Sequence, residues 1–235
     1  MQLFYQENFS LQNAFELEES ETKHCLQVLR HQQGDILHLT NGKGLLASAK
    51  IEKIQGKKCY LKVVESRLEE KKEAYSIHLA IAPTKNADRM EWLIEKCVEI
   101  GIDEVSFLQT QHSERKFFGL ERLQKKALSA LKQSLKVHLP KINPIQGFRD
   151  FVQKASEEQK FIAYVDQQNP QTLFGASQKN QNYCILIGPE GDFSKEELEM
   201  ALDKNFQKVS LGNSRLRTET AALVAVMSLH LKNEL

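Results

Sequence analysis

YCILIGPEGDFSKEELEMALDKNFQKVSLGNSRLRTETAA, residues 183–222, is the stretch on which the reading of this chain turns. The apolar run Cys184-Ile185-Leu186-Ile187 reads as a strand that enters a Gly-Pro-Glu-Gly turn at 188–191. Ser194-Lys195-Glu196-Glu197 has the spacing of a capping box, and starting a helix is a sufficient role for it. A second apolar run, Val209 to Leu211, opens into Gly212 and the polar loop Asn213-Ser214-Arg215-Leu216-Arg217. A last helix begins near Thr218, which can cap it, with Glu219 in the first turn where the helix dipole favours an acid. Two strand ends, each followed by a glycine loop and a helix, are where open α/β sheets bind ligands.

The chemistry of that place is narrowed by what it lacks. The turn at 188–191 has no Gly-Lys-Ser/Thr ending to cradle phosphate and magnesium, and Glu190 and Asp192 would repel an anion. No GxGxxG follows the first strand of the α/β region. Acids beside glycines suit a ligand with a cationic or neutral reactive centre, such as the sulfonium of S-adenosylmethionine. Arg215 and Arg217, flanking Leu216 beside a glycine loop, are too concentrated there to be solubility charges alone. The seven histidines show no HExxH and no Cys/His cluster, so no metal is expected, and no GxSxG elbow is present.

Outward from this stretch, the 235-residue chain is 41% hydrophobic and 27% charged, enough to bury a core in one or two domains. Its net charge of +1 means that any nucleic-acid binding rests on local patches. Cys25, Cys59, Cys97 and Cys184 have no metal-like spacing and fit a reducing cytosol. The start carries no basic-then-apolar leader pattern, and no apolar run reaches membrane-spanning length. A soluble cytoplasmic protein is expected.

Residues 1 to about 72 read as a small β unit. A short helix at 24–30 precedes strands at 35–40, 45–54 and 59–64, with turn signals at Asn41-Gly42-Lys43-Gly44 and Gln55-Gly56. Regular short strands suggest a small barrel. The charged run Glu65 to Glu73 is the expected domain boundary. Beyond it strands and helices alternate: a strand at 75–82, a helix from Asn86 or Asp88 to Ile100, a strand at 105–108, a helix from Leu120 to about Leu135, a strand at 161–165 and a polar loop at 166–170. This order predicts a parallel or mostly parallel sheet with helices on both faces.

Two basic stretches bear on partners. Residues 43–62 hold six lysines against Glu52. Residues 113–141 hold Arg115, Lys116, Arg122, Lys125, Lys126, Lys132, Lys136 and Lys141 against Glu114 and Glu121. Solvated strand or helix faces account for such runs; the second, lying among polar rather than acidic neighbours, gives more weight to a nucleic-acid surface.

The runs LIGPEGDFSKEEL and LGNSRLRTETAA together resemble the two C-terminal motifs of the RsmE family, SPOUT-superfamily enzymes that methylate N3 of a uridine in 16S ribosomal RNA. The resemblance extends over nearly the whole chain, through His24 to Arg30, Gly34 to Gly44, Lys85, Asp88 and Arg89, Glu95 to Gly101, Ser113-Glu114-Arg115 and Lys132-Gln133-Ser134. Family members often carry Gly-Gly where this chain has Gly191-Asp192, and Arg215 stands one place from the family's usual arginine. The resemblance implies an α/β fold: a PUA-like β-barrel RNA-binding domain at 1–70, then a SPOUT methyltransferase domain at 73–235 with a mostly parallel sheet and a C-terminal trefoil knot. It implies a homodimer, with 16S rRNA of the small ribosomal subunit as partner and S-adenosyl-L-methionine as cofactor. Leu186, Ile187, Gly188, Pro189, Glu190 and Gly191, with Leu211, Gly212, Ser214, Leu216 and Thr218, would hold the cofactor. Arg30, Lys85, Arg89, Arg115, Gln133 and Arg215 would touch RNA. Arg217 would be catalytic, with Glu219 as base or as the residue that orients it. Methylation of another base or of a ribose hydroxyl, or a non-catalytic role in ribosome assembly, remain the alternatives.

Overall fold

A computed structural model describes residues 2–71, 73–113, 119–165 and 171–235. The chain forms two compact units, Met1–Lys72 with Leu128–Leu139, and Glu73–Ala127 with Pro140–Leu235. Among the described residues no helix is long and apolar enough to cross a membrane.

In the first unit, strands β1 (Leu3–Tyr5), β2 (Phe15–Glu16), β3 (Ile36–Thr40), β4 (Leu45–Gln55) and β5 (Lys58–Leu68) form one sheet in the order β1-β3-β4-β5-β2. Period-two alternation puts Leu37 and Leu39, Ala49 and Ile51, and Cys59 and Leu61 on one face, where they bury with Phe4, Leu17 and Cys25. The expected helix at 24–30 is instead α1 (Glu19–Lys23) running into a π-helical turn, His24–Val28. The Asn41–Gly44 signal is a turn as expected. The Asn41 side-chain oxygen accepts from the amides of Lys43 (2.8 Å) and Leu45 (3.1 Å), and Gly44 adopts φ 92°. A segment distant in sequence completes this unit: Gly44 donates to the Val137 carbonyl at 2.9 Å and Leu139 to that of Gly42 at 2.8 Å.

The chain divides between Lys72 and Glu73, within the stretch Glu65 to Glu73 expected as the boundary, while the first half of that stretch is strand. Strand β5 continues to Leu68, pairing Glu65 with Ser48 and Leu68 with Leu45. This half is solvent-exposed, so it carries the composition of a linker while its backbone stays in the ladder.

The second unit holds β6 (Ser76–Ile81), α2 (Ala87–Ile100), β7 (Glu104–Gln109), the first half of α3 (Leu120–Gln133), β8 (Lys141–Gly147), α4 (Phe148–Lys154), β9 (Gln159–Ala163), α5 (Leu173–Ala176), β10 (Asn182–Ile187), α6 (Lys195–Asp203), β11 (Gln207–Val209) and α7 (Thr218–Glu234). Its six strands lie in the order β11-β9-β10-β6-β7-β8, and every pairing is parallel. Strand β8 was not foreseen because Pro144 interrupts its pattern. It is an edge strand whose register shifts between Asn143 and Ile145, opposite Ser106 and Phe107, where a proline is tolerated.

Alternation along the strands serves two layers. Ala80, Cys184 and Leu186 bury against Phe148, Phe151, Phe193 and Ala201 of α4, α6 and the loop before α6. On the other face α7 packs on β6 and β10 and against α2 and α5. The neighbours β6 and β10 therefore send their following helices, α2 and α6, to opposite faces. In an open parallel sheet, the carboxyl ends of two such strands are where a ligand binds.

Candidate active site

Because all six strands run the same way, the loops after β6, β7, β9, β10 and β11 share one edge. The Ile187 carbonyl, at the end of β10, accepts from the Ala82 amide at 3.0 Å and ties two of these loops together. The 188–191 turn closes through a 3.0 Å bond from the Asp192 amide to the Pro189 carbonyl. Asp192 takes φ 61°, a left-handed conformation that glycine adopts without strain. An aspartate tolerates it by local bonding: its carboxylate accepts from the amides of Phe193 (2.8 Å) and Val165 (3.2 Å). Burial nevertheless pushes the Asp192 carboxyl above its ordinary value, with the two amides and His112 opposing that shift.

The loop after β7 locks onto the same turn. His112 Nδ1 lies 2.9 Å from the Asp192 carbonyl, and a Cβ on Gly191 would come within 3.3 Å of His112 Cβ. The capping box at Ser194 is present with both reciprocal bonds. Its Glu197 also accepts from the Gln111 amide at 2.8 Å, so one carboxylate starts α6 and holds the neighbouring loop. His112, Gln111 and Glu197 were not among the sequence candidates. The signal was that Gln109 to His112 form a polar run at a strand end.

The last loop is fixed from its amino side. Ser210 donates to the Gln171 carbonyl and accepts from the Leu173 amide, both at 2.9 Å, and its hydroxyl accepts from the Gly212 amide at 3.1 Å. Gly212 takes φ 112° with open space where a side chain would stand. Ser214, Arg215 and Arg217 are exposed, and Leu211 and Leu216 are half-buried. The N-cap of α7 is Arg217, with no side-chain cap bond, so Thr218 is the first helical residue and not the expected cap. Glu219 is buried in the first turn, its Oε1 3.6 Å from Arg89 Nε and its Oε2 without a hydrogen-bond partner among the described residues. Arg89 sits in the first turn of α2, whose N-cap Asn86 accepts from the Asp88 amide at 2.8 Å.

This edge thus gathers the backbone of 187–192 and 210–217 with Lys85, Arg89, Arg217 and Glu219. The Leu186 side chain is committed to the core, so only its backbone can meet a ligand. Arg30 and Gln133 are exposed in the first unit. Arg115 lies outside the described residues, as does the expected loop at 166–170. Among the described residues, four cations of the basic run at 113–141 are paired: Arg122 with Asp88 and Glu91, Lys126 with Glu95, Lys132 with Glu21, and Lys141 with Glu104. Acids distant in sequence therefore neutralise these four charges.

Residues 71–230 match the model of an RNA methyltransferase domain, and residues 17–64 that of an RNA methyltransferase PUA domain. Ribosomal RNA small subunit methyltransferase E of Rickettsia conorii is 30% identical, over 87% of this chain and 84% of its own length. The chain belongs to the RsmE family of RNA methyltransferases. The RsmE enzyme of Bacillus subtilis is 24% identical over 94% of this chain and 91% of its own. A crystal structure described as a probable rRNA-methyltransferase of Porphyromonas gingivalis superposes with a TM-score of 0.93 at 43% identity, covering 100% of this chain and 99% of that one. The RsmE structure of Neisseria gonorrhoeae, bound to S-adenosyl methionine, superposes at 0.88 with 26% identity, covering 99% of this chain and 98% of that one.

Proposed function

We propose that this chain methylates N3 of a uridine in the 16S rRNA of the small ribosomal subunit, with S-adenosylmethionine as methyl donor. The observation that carries the reading is the convergence of the Gly188–Gly191 turn, the Gly212–Arg217 loop and the Arg89–Glu219 pair at one sheet edge. The residues fit such a donor. Gly212 leaves open space over its backbone, and Glu219 Oε2 is an orphaned buried acceptor that a cation or N–H donor would satisfy. The backbone of 187–191, 211, 212, 214, 216 and 218 would hold it. When bound, it supplies an electrophilic methyl on a sulfonium.

The chain's own residues have three tasks. N3 of uracil must lose its proton before it can attack, and in this reading Glu219 is the base. Negative charge then spreads onto the uracil carbonyls. Arg217 is exposed, and Glu219 pairs instead with Arg89, so the Arg217 guanidinium is left to stabilise that charge. Holding acceptor and donor in line supplies as much as about 7–11 kcal/mol of the barrier reduction. A stacked uridine must be extruded first, with Lys85, Arg115 and Arg215 holding the strand. In the first unit Lys50 stands directly opposite Lys62. Like charges facing each other cost stability, and RNA phosphate would offset that cost.

The same reading includes a knotted C-terminal segment and a homodimer. Trp92, Phe174, Met227 and Leu231, exposed apolar residues of α7 and of the helices α2 and α5 that it packs on, support the dimer. Mass spectrometry of 16S rRNA from a deletion strain tests the function. Loss of one N3-methyluridine, restored by the wild-type gene and not by Arg217→Ala, is expected. Loss of a ribose methyl or of a different base methyl would refute the N3 assignment, and unchanged rRNA would refute the activity.

A further inference from the structure

A second constellation lies at the opposite, amino-terminal edge of the parallel sheet. His78 and Cys184 are register partners on β6 and β10. The loop after α4 brings Glu157 to them, and one donor atom from each of His78, Glu157 and Cys184 lies within 4.8 Å of the others. His78 Nδ1 and Glu157 Oε1 are 2.5 Å apart, and Glu157 Oε2 is buried, with the amides of Ser156 and Glu157 beside the carboxylate. A cavity of about 290 Å³, lined among others by His78, Glu104, Glu157, Ser76 and Asn182, opens beside His78 and Glu157.

We propose that His78, Glu157 and Cys184 form a site for a zinc-type transition-metal cation, with its fourth position open to that cavity. One imidazole, one carboxylate and one thiolate are a donor set for a borderline-soft ion and not for calcium or magnesium. A tetrahedral ion with bonds of about 2.0–2.3 Å holds its ligands roughly 3.3–3.8 Å apart. The His78–Glu157 contact must open and the sulfur close in by about 1 Å each, within the reach of side-chain torsions. A His78–Glu157 ion pair alone would not explain the sulfur at the same point.

The surroundings already orient the imidazole. His78 Nε2 lies 2.8 Å from Ser106 Oγ, which also accepts from the Asn143 amide at 2.8 Å. The Phe151 ring meets the imidazole edge-on at 5.3 Å. With Nε2–H donating to Ser106, Nδ1 is the nitrogen turned to Glu157 and Cys184, and its lone pair becomes available to an ion once the proton shared with Glu157 has left, the outer-shell arrangement typical of metal-ligating histidines. Binding displaces the Cys184 thiol proton and the proton between His78 and Glu157, with no change of oxidation state. Two cations stand nearby. Lys141 is engaged by Glu104 at 2.8 Å, and Lys160 lies over the Phe206 ring, 5.3 Å from its centroid. The ion would tie β6, β10 and the α4–β9 loop together, away from the methyl-transfer edge.

Titration of the full-length chain with Co²⁺ and Zn²⁺ tests this. One Co²⁺ per chain with a thiolate-to-cobalt charge-transfer band is expected, displaced by Zn²⁺. Zn²⁺ at about 100 times its Kd should raise the folded-to-unfolded ratio about 100-fold. Glu157→Gln keeps the side-chain volume and should weaken binding at least about 10-fold, with circular dichroism confirming that it folds. Cys184→Ala should abolish the band. The proposal is overturned if the wild-type chain shows no such band, or if both variants bind cobalt as tightly as wild type. Methyl transfer is not a readout, so failure here leaves the proposed function untouched.

Discussion

Arg89→Met should destabilise the second unit by about 1–3 kcal/mol through one carboxylate, that of Glu219. Two unit charges 3.6 Å apart attract by about 4.6 kcal/mol at an effective dielectric of roughly 20. Two corrections reduce that figure. The Arg89 side chain is 37% exposed against 9% for Glu219, so water already solvates part of the cation. The N-terminus of α7 also stabilises an acid in its first turn by about 0.3–1 kcal/mol, which remains after Arg89 is gone. The loss therefore falls between that of an exposed pair, about 0–1 kcal/mol, and a fully buried one, about 3–5 kcal/mol. Glu219→Gln removes the charge that needs compensation and should cost less, about 0–1 kcal/mol. Urea unfolding of wild type, both single variants and the double variant isolates the pairwise term. A coupling of about 1–2 kcal/mol is expected. A coupling within about 0.3 kcal/mol of zero would refute the view that Arg89 holds this carboxylate in place.

Ser194→Ala removes one half of the capping box on α6, at a cost of about 1 kcal/mol in urea unfolding. Gly44→Ala would set a Cβ 2.6 Å from the Glu69 carbonyl oxygen at φ 92°. It should cost at least about 2 kcal/mol and lower the melting temperature of the first unit. Asp192 should leave a signature in the pH profile. Its folded carboxyl is raised by burial, so its contribution to stability is full below the ordinary carboxylate range and is lost as pH rises through the raised value. Asp192→Asn should lack that loss, as melting temperature against pH would show; identical profiles would contradict the assignment.

Much of the second unit was legible because its signals are local. The apolar run at 184–187, the Ser194 capping box and the Asn86 cap each lie within a few residues, and each appears where expected. What was not legible depends on partners far along the chain. The linker-like composition of 65–68 hid a strand because only its pairing with 45–48 makes it one. In the basic run at 113–141, the pairing of Arg122, Lys126, Lys132 and Lys141 was hidden because their acids, Glu21, Asp88, Glu91, Glu95 and Glu104, precede them by up to 111 residues. Thr218 read as a helix cap by residue type, yet the backbone makes Arg217 the cap, a distinction that one-residue differences in helix start always blur. At the site, the motif residues could be named from sequence; the pairing of Glu219 with Arg89 could not, since only the fold brings α2 and α7 together.

The insertion of β10 between β6 and β9 constrains how this protein can be made. The Ser76–Asn182 contact that begins the β6–β10 pairing spans 106 residues. At a synthesis rate of roughly 5–20 residues per second, the unpaired edge of β6 waits about 5–20 s for its neighbour. During that interval Ile77, Leu79 and Ile81, all fully buried in the finished protein, belong to an open strand edge able to pair with any other nascent chain. A polypeptide halted before residue 182 would keep that edge open for good, so quality control should meet this protein mainly as unfinished chains rather than as unfolded complete ones.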